Sequence, residues 1–296
     1  MAKPLFQGVY TAIITPFTNS GKIDWKAYGN LLDEQLEARV SGIVPCGTTG
    51  ESPTTSHKED NDLIDFTIRR LKGRAQVIPG TGSNSTEEAI QSTKYAQKAG
   101  ADAVMLVNPY YNKPTQKGLY LHFKAIADSV RIPCIIYNIK GRTGVNVETP
   151  TLIRLMKDCK NILGVKEASG DIRQMKDVLR LRNPNFSVLS GDDNMTLELI
   201  KAGGDGVISV ASNIVPKEIV RMVDFALKGR TTEAKKIDER LAVLLKTLFI
   251  ETNPIPIKTA LSMQGKCKER FRLPMCTMEG ANKKMLRSIL KKMSLI

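Results

Sequence analysis

Lys166 stands inside an apolar, β-rich run, ILGVKEAS at 162–169. In a strand, alternation puts Gly164, Lys166 and Ala168 on one face and Val165 and Glu167 on the other. The two small neighbours leave space around the amine. If that face lies at the centre of a closed sheet, the amine is desolvated. Desolvation lowers a lysine's pKa and makes the neutral, nucleophilic form accessible. Such an amine forms a Schiff base with a carbonyl compound. A lysine paired with a carboxylate at a strand end fits the same spacing equally well.

Other residues supply the groups that imine chemistry needs. Tyr137 ends an apolar run, CIIYN, and Tyr110 and Tyr111 follow another. Phenols carry protons when histidine is scarce, and tyrosines also serve as amphipathic wall residues. Only two histidines occur, His57 and His122, so a histidine-rich metal site is excluded. Thr48 and Thr49 lie in GTTGES (47–52), where hydroxyls and backbone N–H groups can hold a carboxylate. A plain polar turn has the same composition. Arg142 can clamp a substrate carboxylate bidentately or lie solvated on the surface. The pair Asp192–Asp193 lacks further ligands nearby and reads as a helix N-cap, not as a metal site.

The elements that must position these groups alternate strictly. Strand-like runs fall at 8–17, 42–46, 76–81, 103–107, 134–138, 162–169, 186–191 and 206–212. Between them, apolar residues recur at helical spacing, as in Tyr28, Leu31, Leu32, Gln35 and Leu36, or Leu63, Ile64, Thr67, Ile68 and Leu71. Such alternation calls for a parallel sheet with helical crossovers, and eight repeats are the count of a (β/α)8 TIM barrel. No GxGxxG follows the first strand, as an open dinucleotide-binding sheet would typically show. Beyond residue 214 four helical stretches remain, at 216–228, 232–249, 254–264 and 279–293. The expected organisation is a catalytic barrel over 1–225 and a C-terminal helical extension over 226–296, packed as one body. In a barrel of this type, chemistry sits at the C-terminal ends of the strands. Lys166, Tyr137, GTTGES, NPYYNKPTQ (108–116) and LSGDD (189–193) all fall there.

Composition sets outer bounds. With 42% hydrophobic and 25% charged residues, the 296-residue chain is globular. No apolar run of about 18 residues exists to span a membrane. The opening segment, MAKPLFQGVYTAIITPF, lacks a small-residue cleavage site and reads as the first strand, so a cytoplasmic location is expected. Five cysteines without CxxC spacing argue against disulfides and zinc knuckles. The net charge of +14 is concentrated late, with 17 Lys/Arg against 7 Asp/Glu over 221–296. A nucleic-acid surface would explain that, but the cations are mixed with acids and lack an aromatic stacking platform. Solvated helix faces are the simpler reading, so no nucleic-acid or membrane partner is expected.

Taken in order, GTTGES, NPYYNKPTQ, YNxxxRTG, GVKEASGD, LSGDD, GVISVASNI and NPIPIKTAL resemble the motifs of the dihydrodipicolinate synthase / N-acetylneuraminate lyase family of class I lyases. The resemblance covers nearly the whole chain, and Arg142 with KEASGD places it on the synthase side. It implies condensation of pyruvate with L-aspartate 4-semialdehyde, on the route to diaminopimelate and lysine, with no dissociable cofactor. It implies that Lys166 forms the imine and that Tyr137, Thr48 and Tyr111 relay protons, Tyr111 reaching in from a neighbouring subunit of a dimer of dimers. Thr49 would bind the pyruvate carboxylate and Arg142 that of the semialdehyde. Gly191 and Ile208 would offer backbone carbonyls near the lysine. A candidate allosteric lysine site would involve Ser52, His57, Asn84, Glu88 and Tyr110. Two departures stand out: Lys140–Gly141 replaces the usual proline, which points to a more mobile loop at Arg142, and Pro53 and Asp60 replace a small residue and a histidine. The alternative within the family is a pyruvate-dependent aldolase acting on sialate or a 2-keto-3-deoxy sugar acid.

Overall fold

A computed structural model describes residues 4–296; the first three residues of the expected opening strand lie outside the described residues. Eight strands appear: β1 (Gly8–Ala12), β2 (Gly42–Val44), β3 (Gln76–Val77), β4 (Val104–Val107), β5 (Cys134–Asn138), β6 (Ile162–Glu167), β7 (Ser187–Ser190) and β8 (Gly206–Ser209). They pair in parallel in the order β3-β2-β1-β8-β7-β6-β5-β4. The ring closes just past β3. Gly80 bridges to Met105, the Met105 N–H donates to Pro79 O at 2.9 Å, and the Thr81 N–H donates to Met105 O at 3.0 Å. A Cβ at Gly80 would stand 2.4 Å from the Cys46 carbonyl oxygen, so the closing segment needs glycine there. The architecture is the expected (β/α)8 barrel.

All eight expected strands are present, several of them shorter than the apolar runs. The run 8–17 joins the barrel ladder only to Ala12, with an isolated antiparallel bridge from Phe17 to Ile23 beyond it, and 206–212 only to Ser209. Beyond the ring the chain has no ladder partner and winds into 3₁₀ turns instead, at Thr48–Gly50, Asp193–Met195 and Ala211–Asn213.

The crossover helices are α1 (Trp25–Glu37), α2 (His57–Leu71), α3 (Thr86–Ala99), α4 (Gln116–Asp128), the short α5 (Lys140–Thr143), α6 (Thr149–Asp158), α7 (Ile172–Leu181), α8 (Thr196–Lys201) and α9 (Pro216–Leu227). Their starts follow capping chemistry. Asp24 accepts from the Ala27 N–H at 3.0 Å, and Ser56 with Glu59 forms a reciprocal capping box. On α1, Tyr28, Leu31, Leu32 and Gln35 are buried, the face the spacing anticipated.

Two apolar layers result. One lies between strands and helices. The other fills the barrel axis with Phe6, Tyr10, Val44, Ile78, Met105, Ile135, Leu189 and Ile208. This inner plug keeps water from the axis below the strand ends.

The extension consists of α10 (Thr231–Thr247), α11 (Ile255–Met263) and α12 (Gly280–Lys292), each within two residues of expectation at either end. Their buried residues, among them Leu241, Leu244, Ile257, Leu261 and Leu286, join the strand–helix layer. We propose to keep the division into barrel and extension, with α9 as the last barrel helix. Several late cations pair with acids: Arg230 with Glu233, Arg240 with Glu218, Lys266 with Glu34 and Lys283 with Glu269. Among the described residues, no helix is long and apolar enough to cross a membrane.

Candidate active site

Lys166 lies on β6 with its side chain inside the ring and only 6% exposed. Its in-register neighbours are Tyr137 on β5 and Leu189 on β7. Room for the lysine is left by Gly191, just past β7, and not by Gly164 of its own strand, where an added Cβ would meet Ser187, Ile135 and Phe6. A Cβ at Gly191 would stand 3.1 Å from Lys166 Cε and 2.7 Å from Ala168 Cβ, so glycine leaves the space the lysine occupies. Lys166 Nζ sits 3.9 Å from the centroid of the Tyr137 ring. Among the described residues, no carboxylate forms an ion pair with it. Burial pushes the amine down to about 7, with the Arg142 charge acting the same way and the Asp193 carboxylate opposing both. An amine with that pKa is substantially neutral near pH 7 and can attack a carbonyl.

Tyr137 is 5% exposed, and burial pushes its phenol up to about 12, against the pull of Arg142 and Thr48. The phenol therefore stays protonated and able to donate. Thr48, in the turn after β2, lines the same cavity. Thr49 is buried behind it, and its hydroxyl accepts from Asn253 Nδ2 at 3.0 Å. Arg142 sits on α5, where the Lys140–Gly141 segment forms a helical turn. The Thr143 N–H donates to Ile139 O at 3.1 Å, and Gly144 closes the turn at φ 75°. Arg142 Nη2 donates to Asn253 O at 3.0 Å, which fixes the guanidinium at the cavity wall. Ile208 is buried on β8 in the inner layer.

A cavity of about 550 Å³ opens at these strand ends. Thr48, Tyr137, Ile139, Arg142 and Thr143 line it, and Lys166 touches it through the Tyr137 ring, whose centroid lies 3.9 Å from the lysine nitrogen, without lining it itself. The arrangement joins a dry amine, a protonated phenol, a hydroxyl-bearing turn and a fixed guanidinium.

A family model for the dihydrodipicolinate synthetase family matches residues 5–293. The chain belongs to this family. The 4-hydroxy-tetrahydrodipicolinate synthase of Endomicrobium trichonymphae is 53% identical over 99% of this chain and all of its own length. That of Syntrophus aciditrophicus is 50% identical over the same shares. The crystal structure of dihydrodipicolinate synthase from Aquifex aeolicus superposes with a TM-score of 0.97 at 46% identity, covering 98% of this chain and 99% of the other.

Of the expected dihydrodipicolinate synthetase set, Thr48, Tyr137 and Arg142 line the cavity, while Lys166, Thr49, Gly191, Ile208 and Tyr111 are not part of its lining. Tyr111 is 89% exposed, at φ 72°. The cavity instead extends outward past Ser52, His57, Glu88 and Tyr110, four of the five residues of the candidate allosteric set. Glu88 accepts from Ser83 Oγ at 2.7 Å, and Asp60 accepts from Thr55 Oγ1 at 2.6 Å. Asn84 is not part of the lining, and its carbonyl accepts from Asn112 Nδ2 at 2.9 Å.

Three further groups escaped the sequence reading. Asp193 is buried and accepts from Ser209 Oγ at 2.5 Å and from the Val210 and Ala211 N–H groups at 2.9 Å; Asp192 alone takes the N-cap role, on the 3₁₀ turn before α8. Asn253, in NPIPIKTAL, touches both Thr49 and Arg142. Lys258, on α11, is fully buried and paired with Glu51, over the Phe17 ring at 4.1 Å. A lysine inside an apolar run was the signal for Lys166, and Lys258 carries the same signal. Among the described residues, no group of three His, Cys, Asp or Glu side chains could hold a metal ion.

Proposed function

We propose that this chain condenses pyruvate with L-aspartate 4-semialdehyde through an imine on Lys166, the activity of a 4-hydroxy-tetrahydrodipicolinate synthase. The neutral amine of Lys166 adds to the pyruvate ketone, and water leaves to give the imine. Loss of a methyl proton gives the enamine, whose carbon adds to the aldehyde. The amine of the semialdehyde then attacks the imine carbon, closing the ring and freeing Lys166. The imine is the electron sink, so the reaction needs no dissociable cofactor.

Tyr137 donates and recovers protons beside the imine, and Thr48 links it to the next phenol. That phenol is Tyr111 of a neighbouring subunit: its exposure supports a role outside its own chain. Thr49 holds the pyruvate carboxylate, Arg142 holds the semialdehyde carboxylate at the cavity wall, and the carbonyls of Gly191 and Ile208 face the lysine. The reading includes a homotetramer built from two such dimers, working in the cytoplasm. The outer cavity at Ser52, His57, Glu88 and Tyr110, with Asn84 at its edge, is the place for feedback by lysine.

The observation that carries this reading is a buried lysine without an ion pair among the described residues, its nitrogen over the Tyr137 ring and its pKa brought to about 7. Incubation with pyruvate and borohydride, followed by mass spectrometry, is expected to place the reduced adduct on Lys166. An adduct elsewhere, or none, rejects the mechanism. A coupled assay separates turnover of pyruvate with aspartate semialdehyde from pyruvate release out of sialate or a 2-keto-3-deoxy sugar acid. Release without condensation would transfer the chain to the aldolases.

A further inference from the structure

We propose that Asn253 is a positioning residue: its side-chain amide turns the Thr49 hydroxyl so that the hydroxyl donates to the carboxylate of the keto acid. The inference rests on the functional reading above and deepens it. A threonine hydroxyl has one hydrogen and two acceptor sites. Asn253 Nδ2 fills one acceptor site of Thr49 Oγ1 at 3.0 Å. Among the described residues, the Thr49 hydrogen has no protein acceptor, although the residue is only 3% exposed. A buried O–H without an acceptor is costly unless a ligand supplies one. A carboxylate is the acceptor that best matches such a donor, since the resulting bond is charge-assisted.

The backbone that carries the amide is anchored. Asn253 is 6% exposed, and its main-chain carbonyl accepts from Arg142 at 3.0 Å. Five residues on, Lys258 pairs with Glu51, which lies two residues after Thr49. The helical extension and the Thr48–Thr49 turn are thus joined at two points. Asn253 Oδ1, buried and without a partner, faces away from Thr49. In the reversed amide orientation Thr49 would donate to Asn253, and no hydrogen would remain for a substrate.

Asn253→Asp tests this directly, because it keeps the shape and replaces the donor with an acceptor. Asn253→Ala removes the contact and leaves the main-chain link to Arg142 in place. Both variants are expected to raise the KM for pyruvate roughly tenfold or more, the loss of one hydrogen bond to a charged group. In Asn253→Ala the KM for the semialdehyde should stay within about twofold. In a Thr49→Val background neither variant should raise the pyruvate KM further. Borohydride trapping at saturating pyruvate should still label Lys166 in both, which shows that the fold persists. An unchanged pyruvate KM, equal losses for both substrates, or full additivity with Thr49→Val overturns the assignment. Wild type trapped by pyruvate beside variants that match its KM removes Asn253 alone. Wild type left unlabelled removes the functional reading together with it.

Discussion

Lys166 and Tyr137 face each other in register across β6 and β5, with the lysine nitrogen 3.9 Å from the centroid of the ring. An aromatic face attracts an ammonium, so the ring favours the protonated form. Burial works the other way and prevails, since the amine falls to about 7. The strand pairing that builds the barrel therefore also delivers a reactive amine to a proton donor.

A lysine held without a counter-ion costs stability, because its neutral form must be maintained against water's preference for the cation. Lys166→Met should abolish borohydride trapping and lower turnover by roughly three orders of magnitude or more. The same change should leave Tm unchanged or raise it. The lysine's folded pKa lies below its unfolded value, so between about pH 7 and pH 10 the unfolded chain binds the extra proton. Stability should rise with pH across that window in wild type, and this contribution should vanish in Lys166→Met. Calorimetry across the range reads both effects; a Tm several degrees lower would contradict the account.

Two charges bear on the amine with opposite sign. The Asp193 carboxylate raises its pKa and the Arg142 guanidinium lowers it. In wild type, kcat/KM for pyruvate should fall as the pH drops through about 7, where the amine becomes protonated. Asp193→Asn should move this acid limb to lower pH, and Arg142→Met should move it to higher pH. Limbs that coincide in all three proteins would show that another group sets the profile.

Glu51 and Lys258 pair away from water, with Lys258 also over the Phe17 ring. Breaking such a pair from one side strands a buried charge. Lys258→Met is expected to cost about 3–5 kcal/mol. Adding Glu51→Gln should recover a large part of that loss, as urea denaturation would measure. If the double variant is as unstable as the single one, the ion pair itself, and not the stranded charge, is what matters.

Tyr111, 89% exposed in the single chain, is the relay member assigned to a neighbour. Tyr111→Phe and Lys166→Ala homo-oligomers should each be nearly inactive. Mixed and allowed to exchange subunits, they should regain activity, because some sites then receive Lys166 and Tyr111 from different intact chains. Sedimentation shows whether the hybrids form. Hybrids that form and stay inactive would place Tyr111's contribution within its own chain or remove it.

Much of the fold was legible in the residues because its periods are local. The eight apolar runs and the helical spacing between them depend on neighbours within a few positions, and so do caps such as Asp24 and Ser56. Strand ends were less legible, since where β1 or β8 stops depends on where the rest of the ring offers a hydrogen-bond partner. The helical turn at Lys140–Gly141 was not legible for a related reason, since the segment's partner, Asn253, lies 111 positions from Arg142.

The chain by itself determined that a lysine would sit in the sixth strand between small residues, with tyrosines, threonines and an arginine at the ends of others. It did not show which of the two lone cations in apolar runs, Lys166 or Lys258, would meet a counter-ion. Tertiary structure decided that. It brought Glu51 into an ion pair with Lys258 and left Lys166 without one among the described residues, with the Asp193 carboxylate acting on it only through its charge, and charge pairing between distant segments is settled only by how the ring and the extension pack. Burial pulls both amines down; at Lys258 the Glu51 carboxylate opposes it in direct contact, whereas at Lys166 burial prevails and brings the amine to about 7, where the neutral nucleophile is populated.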